Sequence, residues 1–186
     1  MAFNPAQIKR IGEVKAKIKL KFEQLHQQVW FKELPFEARQ SLYLAGGAIA
    51  SLLQDETPND WDLYFNHSYA CAQFVKHIEN LKPWIKDVDE KYRETVGVDG
   101  KMITEKAVTM KDSTSFIIMH SGKPAAIKQT FDYLHTTMHY DASTDKLYVS
   151  EAQYDAAVFK KLVVANALEV TPLRTGKFID RGYKKC

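Results

Sequence analysis

Two aspartates separated by one residue are the side chains of this sequence most suited to chemistry. Asp60 and Asp62 lie on either side of Trp61, just before the apolar run 63–65. Because side chains alternate between the faces of a strand, we expect both carboxylates to project the same way, a few ångströms apart. Two like charges this close repel unless a cation neutralises them, and hard oxygen ligands favour Mg²⁺ or Mn²⁺. The spacing therefore predicts that Asp60 and Asp62 are ligands of such a metal ion.

A diglycine precedes these aspartates along the chain. Gly46 and Gly47 follow the apolar segment 42–45, which predicts a strand, and they open a predicted helix over 48–53. A helix N-terminus leaves backbone N–H groups without intrahelical partners, and such groups bind phosphate. We therefore predict that Gly46 and Gly47 bind nucleotide, and that they form a nucleoside triphosphate site together with the metal-binding carboxylates. The alternative is that the two glycines serve only the turn.

The order of these motifs resembles the head-domain signature of the nucleotidyltransferase superfamily, most closely the CCA-adding enzymes and bacterial poly(A) polymerases. That signature is a diglycine, a helix that usually bears Arg-Asp, a loop, and Asp-x-Asp. This sequence has Ala50 and Ser51 in place of the Arg-Asp pair, which removes a cation from the helix. Short bacteriophage proteins with this layout are also similar, so the resemblance implies a phage origin.

Two further segments extend the resemblance. The segment 131–135, FDYLH, is similar to the family's Arg-Asp-Phe-Thr-Ile-Asn-Ala strand, with Asp132 in the position of the family's aspartate. The segment 173–178, LRTGKF, resembles the family's Leu-Arg-Ala-Val-Arg-Phe helix. The resemblance implies a catalytic role for Asp132, either as a third carboxylate or as a contact to the ribose. The alternative is an aspartate that caps a strand, and Phe131 replaces an arginine of the family at this point.

A basic helix is predicted at the end of the chain. Thr171-Pro172 is a helix start signal, and the predicted helix continues through Lys185. Arg174, Lys177 and Arg181 occur at i, i+3 and i+7, so they share one face. We predict that these three residues bind nucleotide or a nucleic-acid backbone, and the alternative is an exposed basic face.

The segment that would select the base departs from the family. CCA-adding enzymes use a Glu-Asp-x-x-Arg motif for this purpose, and the corresponding segment 169–174, EVTPLR, lacks the adjacent acidic pair. Acceptors for hydrogen bonds to cytosine and adenine are therefore missing. We expect that adding CCA to tRNA is not the role of this chain.

Composition places the chain among ordinary globular proteins. Its 186 residues suit one domain, and a net charge of +3 does not by itself indicate nucleic acid. Cys71 and Cys186 form no disulfide framework, which is typical of a reducing cytoplasm. No run approaches the roughly 20 apolar residues of a membrane span, and no apolar block follows Lys9-Arg10 as in a signal peptide. We expect a cytoplasmic protein, in the host cytoplasm if of phage origin, with no membrane partner.

The predicted fold is α+β: a nucleotidyltransferase-like mixed sheet with helices on one side, preceded by a long amphipathic N-terminal helix. That helix begins after Asn4, ends at about Trp30, and has an apolar side and a lysine-rich side. The basic side is interpreted as a solvated face of a helix that covers the head, or as an arm that contacts RNA. We divide the chain into the basic helix (1–34), the head domain (35–170) and a C-terminal basic helix (171–186) that corresponds to the family's neck.

The remaining elements follow from periodicity and turn residues. Helices are predicted over 67–81, 124–130 and 151–160, a turn over 96–100, and strands over 84–94, 104–109, 115–120, 134–141 and 146–150.

Three functional hypotheses remain open at this stage. The first is a metal-dependent nucleotidyltransferase that uses a nucleoside triphosphate and modifies an RNA end, a protein hydroxyl or a small molecule. The second is a catalytically inactive relative that binds nucleotide or nucleic acid. The third is an interaction protein whose basic first helix docks a partner. The acceptor, the base and the oligomeric state are not determined by the sequence.

Overall fold

A mixed β-sheet carries the candidate site in the computed structural model, which describes residues 2–89 and 98–186. The helices of these ranges are α1 (Pro5–Gln27), α2 (Val29–Lys32), α3 (Phe36–Gln40), α4 (Gly47–Leu53), α5 (Ser68–Leu81), α6 (Pro124–Ile127), α7 (Glu151–Val158) and α8 (Pro172–Asp180). The strands are β1 (Leu42–Ala45), β2 (Trp61–Phe65), β3 (Ala107–Thr109), β4 (Thr114–Ile117), β5 (His139–Asp141), β6 (Lys146–Tyr148), β7 (Lys161–Leu162) and β8 (Lys184–Lys185).

The main sheet has the strand order β3-β4-β2-β1-β5-β6 within the described residues. β2 and β4 are parallel, and the other neighbouring pairs are antiparallel. β1, which leads into the diglycine, and β2, which contains Asp62 and directly follows Asp60, are therefore the two central strands. The predicted α+β class with a mixed sheet is confirmed.

Alternation along the central strands separates a core face from a site face. Leu42 and Leu44 of β1 are buried in the main hydrophobic core, as is Leu63 of β2. Tyr43 and Tyr64 lie on the opposite face, where their rings stack with a centroid distance of 5.7 Å. Because side chains of a strand alternate, Asp62, which precedes Leu63 in β2, falls on this second face, and Asp60 lies just before the strand.

Helix α1 packs along the core face. Asn4 and Gln7 form a capping box at its start, and Val14, Ile18 and Phe22 are buried along one side. Burial of each such side chain contributes about 1.5–3 kcal/mol. Residues of α4, α5 and α7 join the same core, whereas the short α6 contributes to the cluster on the other face. The helices thus lie mainly on one side of the sheet, with the long helix preceding them, as predicted.

The first helix is shorter than predicted. Gln28 has an extended backbone, with φ −66° and ψ 132°, which ends α1 at Gln27, and α2 starts at Val29. The prediction of one helix to about Trp30 is therefore wrong at its end.

The predicted strand over 134–141 is only partly formed. Residues 134–136 form a 3₁₀ turn, and β5 begins at His139. The hydroxyl groups of Thr136 and Thr137 donate 2.7 Å hydrogen bonds to backbone carbonyls three residues earlier. Such local bonds stabilise a turn in competition with a strand.

The last helix also stops early. α8 ends at Asp180, and Gly182, with φ +88°, lets the chain reverse. Lys184 and Lys185 then pair in parallel with β7, so the prediction of a helix through Lys185 is wrong beyond Asp180.

Two predicted elements fall partly outside the described residues. In the segment 84–94, Ile85 and Asp87 form only isolated bridges, and residues 90–97 are outside the described ranges, as is part of the predicted turn 96–100. Among the helices described, none combines the length and the apolar character required to cross a membrane.

Candidate nucleotide site

The connection from β1 to α4 forms a glycine corner, defined here as Gly46 and Gly47. Gly46 has φ +92°, a conformation that favours glycine, and its N–H donates a 3.1 Å hydrogen bond to the carbonyl of Thr136. A Cβ atom on Gly46 would lie 3.2 Å from Oδ2 of Asp62. The carboxylate of Asp62 therefore lies directly against the glycine corner.

Asp60 and Asp62 line one cleft together with Gly47. Asp60 is exposed and Asp62 is half-buried. Burial and the charge of Asp60 raise the pKa of Asp62 to about 6, against the opposing effect of nearby cations. In residues 2–89 and 98–186 neither carboxylate has a side-chain hydrogen bond or ion pair. Two neighbouring carboxylates without a directly bonded counter-charge are a donor set that fits a hard divalent cation.

The cleft has a cationic wall formed by the end of the chain. Arg174, Lys177 and Arg181 line it together with the two aspartates, and its empty volume is about 460 Å³ including the open mouth. Of these, Arg174 and Lys177 lower the pKa of Asp62. The structure therefore brings together carboxylates and cations that are more than 110 residues apart in sequence.

Asp132 lies next to this cleft but does not line it. Asp132 is 4% exposed, and one of its carboxylate oxygens accepts a hydrogen bond from the backbone N–H of Tyr133 at 2.9 Å. The other oxygen accepts Nε of Arg174 at 2.8 Å. Within the described part of the chain no group of three or more acidic, histidine or cysteine side chains is arranged to hold a metal ion. Asp132 is therefore grouped with Arg174 and not with Asp60 and Asp62.

Helix α8 is held against the head by aromatic and polar contacts. The hydroxyl groups of Tyr133 and Thr175 are 2.6 Å apart. The ring of Phe178 meets the rings of Tyr133 and His135 edge-on, with centroid distances of 5.5 and 4.6 Å. These contacts hold α8 in the orientation in which its cations point toward the cleft.

The loop that leads to Asp60 is tied to the C-terminal segment as well. Nε2 of Gln54 donates 2.7 Å hydrogen bonds to the carbonyl of Ala157 and to the hydroxyl of Tyr183. Nζ of Lys160 is 2.7 Å from the carboxylate of Glu56 and 3.0 Å from the carbonyl of Arg181. The loop before Asp60 and the C-terminal segment, which form two walls of the cleft, are therefore linked to one another through Gln54 and Lys160.

Sequence reasoning missed several residues that line the cleft. Ser51 is one helical turn after Gly47, and this i, i+4 spacing on α4 was a signal that could have identified it. Pro58, Asn59 and Phe178 also line the cleft, and their positions depend on the loop and on α8. Phe178 ends the segment LRTGKF that resembles a helix of the family, whereas no sequence pattern marks Pro58 or Asn59.

The basic side of α1 makes several contacts with the head. Nζ of Lys15 and of Lys19 lie 3.4 and 3.7 Å from the carboxylate of Asp145, and Nζ of Lys21 lies 3.2 Å from that of Asp112. These lysines therefore help to attach α1 to the head.

Comparison with solved structures shows a nucleotidyltransferase fold. The Thermotoga maritima CCA-adding enzyme complexed with tRNA_CCA is similar over 95% of this chain and 42% of the enzyme, with 15% identity and a TM-score of 0.57. The Bacillus stearothermophilus CCA-adding enzyme in complex with CTP is similar over 86% of this chain and 42% of that one, with 12% identity and a TM-score of 0.52. A further CCA-adding enzyme complex with CTP has 16% identity and a TM-score of 0.54, over 91% and 39% of the two chains.

These likenesses concern the fold. The chain spans about two fifths of the length of the CCA-adding enzymes that it matches. The fold expected from the resemblance to the CCA-adding enzymes is confirmed. A search of curated proteins found no match.

A family model matches most of the chain. The match covers residues 17–158, which include the glycine corner, Asp60, Asp62 and Asp132, and the family is described as Gabija anti-defense 2 family protein. Since the matched range is more than half of the sequence, this chain belongs to the Gabija anti-defense 2 family.

Proposed function

We propose that this protein is a metal-dependent nucleotidyltransferase. It transfers a nucleotidyl group from a nucleoside triphosphate to the hydroxyl of an RNA end, a protein or a small molecule. The observation that carries the proposal is the cleft that the carboxylates of Asp60 and Asp62 line together with Arg174, Lys177 and Arg181. Carboxylates that fit a metal ion, opposite cations that fit phosphates, form a site suited to a metal-bound triphosphate.

Each group has a distinct role in the proposed reaction. Asp60 and Asp62 would hold Mg²⁺ or Mn²⁺, which when bound supplies charge neutralisation at the α-phosphate and lowers the pKa of the attacking hydroxyl. The acceptor oxygen forms a bond to the α-phosphorus, the bond from that phosphorus to the bridging oxygen of pyrophosphate breaks, and the hydroxyl proton passes to solvent water in the open cleft. Lys177 and Arg181 neutralise the departing pyrophosphate. The N–H of Gly47, at the start of α4, binds a phosphate oxygen, because the N–H of Gly46 is already bonded to Thr136.

The proposed biological setting comes from the family description. The family description names a role against a defence called Gabija. We propose a phage protein that acts in the host cytoplasm and whose nucleotidyl transfer counters that defence. RNA as a partner belongs to this proposal as one of the three acceptor classes.

The test is a transfer assay with substitutions of the two aspartates. The protein is incubated with Mg²⁺ and each of the four α-labelled nucleoside triphosphates, with total cellular RNA, cellular protein or no added acceptor. We expect label transfer by the wild type and a loss of at least about 100-fold in Asp60→Ala and Asp62→Ala, because charge neutralisation is lost. Asp89→Ala, which changes an exposed aspartate outside the cleft, is the control and keeps full activity. Absence of transfer by the wild type under all these conditions would disprove the enzyme proposal.

A second candidate is an inactive relative that binds nucleotide. It is favoured by the pairing of Asp132 with Arg174, which leaves two carboxylates in the cleft, and by Ala50 and Ser51 in place of the family's Arg-Asp pair. Calorimetry with ATP and GTP, with and without Mg²⁺, separates the candidates. Metal-dependent binding without any transfer identifies an inactive nucleotide binder, and salt-sensitive binding of RNA alone identifies a nucleic-acid binder.

A further inference from the structure

We propose that Asp132 is a positioning residue that directs Arg174 toward the triphosphate, and that it is not a ligand of the metal ion. The inference rests on the proposed function, because it concerns the same cleft. It departs from the catalytic role that the sequence resemblance implies for Asp132. The inference is based on the observation that both oxygens of the Asp132 carboxylate already accept hydrogen bonds within the protein.

The geometry of Asp132 leaves little of its carboxylate available for a metal ion. The side chain is 5% exposed, and its two oxygens accept the N–H of Tyr133 and Nε of Arg174. The shallow pocket that it lines, next to Glu169 and Arg174, is separate from the one that contains Asp60 and Asp62. Only the aspartate of this ion pair is buried, since the side chain of Arg174 is 44% exposed, and removing Arg174 would leave the buried carboxylate without its counter-charge.

Arg174 connects the two pockets. Its guanidinium is bonded through Nε to Asp132, and its Cζ lies 5.1 Å from the ring centre of Phe178. The two terminal nitrogens have no hydrogen-bond partner within the described ranges. An arginine held by Nε and by an aromatic ring keeps these terminal groups in one orientation, which suits two parallel bonds to a phosphate.

The segment 132–136 fixes both phosphate-binding elements at once. The carbonyl of Thr136 accepts the N–H of Gly46, and the hydroxyl of Tyr133 is bonded to that of Thr175 in α8. With the Asp132–Arg174 pair at its start, this five-residue segment sets the distance between the glycine corner and the cations. Asp132 therefore acts on a bound triphosphate through Arg174.

A double-mutant cycle tests this role. Binding of inorganic tripolyphosphate with Mg²⁺ is measured by calorimetry for wild type, Asp132→Ala, Arg174→Ala and the double variant. We expect Arg174→Ala to weaken binding by about 10- to 100-fold and Asp132→Ala by about 10-fold, because a charge-assisted bond is lost or misdirected. The double variant binds like Arg174→Ala, within about twofold. Asp132→Asn keeps the shape and one acceptor oxygen, so it restores part of the affinity and replaces the alanine variant if the latter does not fold.

Two further measurements complete the test. Glu169→Ala removes an exposed negative charge from the same shallow pocket without breaking the ion pair, and it leaves tripolyphosphate binding within twofold of wild type. Binding of Mn²⁺ alone, followed by electron paramagnetic resonance, is lost in Asp62→Ala and unchanged within twofold in Asp132→Ala.

Additive losses in the double-mutant cycle, or loss of Mn²⁺ binding in Asp132→Ala, overturn this inference alone. A wild type that binds neither probe overturns the proposed function and this inference with it.

Discussion

Gly46 is the residue at which backbone conformation and the candidate metal site meet. Its positive φ favours glycine, and the space where a side chain would begin is taken by the carboxylate of Asp62. Gly47, one residue later, has no atom within 4 Å of the position of a Cβ and no positive φ. The two glycines look equivalent in sequence, but only Gly46 is sterically required.

We therefore expect Gly46→Ala and Gly47→Ala to differ. Gly46→Ala loses roughly 1–2 kcal/mol of unfolding free energy from backbone strain, and its Mn²⁺ affinity falls because Asp62 is displaced. Gly47→Ala, the matched control, keeps its stability or gains up to about 1 kcal/mol from helix propensity. Urea unfolding and Mn²⁺ titration of the two variants measure both effects. Equal behaviour of the two variants would contradict the proposed contact between Gly46 and Asp62.

At the scale of elements, α1 supports the short helix behind the glycine corner. Nη2 of Arg10 donates hydrogen bonds to the carbonyls of Leu52 (2.8 Å) and Leu53 (3.3 Å) at the end of α4. The same nitrogen is 2.7 Å from the carboxylate of Asp55. The last carbonyls of a helix lack intrahelical partners, so a cation at this point stabilises α4. The long first helix thus has a structural role in the site without touching it.

The prediction for this contact compares two neighbouring cations. Arg10→Ala removes the hydrogen bonds to α4 and lowers the free energy of unfolding by about 1–3 kcal/mol. Lys9→Ala, at an exposed position of the same helix, changes it by less than about 0.5 kcal/mol. Chemical denaturation of both variants provides the measurement. If Lys9→Ala were as damaging as Arg10→Ala, the effect would come from net charge and not from the contact with α4.

At the scale of the whole molecule, a buried histidine joins the head to its C-terminal segment. His135 is 1% exposed, and its ring lies 4.3 Å from that of Tyr183 and 4.6 Å from that of Phe178. Neither ring nitrogen has a hydrogen-bond partner in the described residues. Burial lowers the pKa of His135 to about 3, and the charges of Arg174 and Arg181 add to this effect. The histidine is therefore neutral in the folded protein well into the acidic range.

This neutrality makes the stability of the fold dependent on pH. Below the ordinary histidine pKa of 6.5 the unfolded chain binds a proton that the folded protein does not bind, so stability falls as pH falls from 6.5 toward 3. His135→Phe removes the site at which the unfolded chain binds this proton. It also removes two buried polar atoms that have no hydrogen-bond partner in the described residues. We expect the variant to be at least as stable as wild type at pH 7, and to gain roughly 3 kcal/mol relative to it between pH 7 and pH 4.

The free energy of unfolding of the variant and of wild type is measured across this pH range. The contributions of other titrating groups, such as Asp62, are the same in both proteins and cancel in the difference between them. The control is His120→Phe, the same change at an exposed histidine, which separates the effect of burial from that of exchanging histidine for phenylalanine. A difference for His135→Phe that stays constant with pH would show that His135 is protonated in the folded state.

The local sequence determined the features that depend on neighbouring residues. The expectation that Asp60 and Asp62 point the same way rested on the two-residue period of a strand, and in the structure both line one cleft although only Asp62 lies within β2. β1 has the predicted bounds because its apolar run ends at the diglycine. The first helix was predictable from its cap and apolar period, except at its end, where Gln28 breaks the helix without a sequence signal. Fold class followed from the order of these motifs.

The tertiary structure alone decided which distant residues meet. Arg174 reaches the cleft because Phe178 packs on residues near position 135, and this packing depends on shapes that no local pattern encodes. The same packing joins Arg174 to Asp132, a pairing that motif order could not predict, since the family position of Asp132 implies a different contact. Short-range periodicity is written into the chain itself, whereas long-range partners are selected only when the core closes and each buried charge must find a counter-charge.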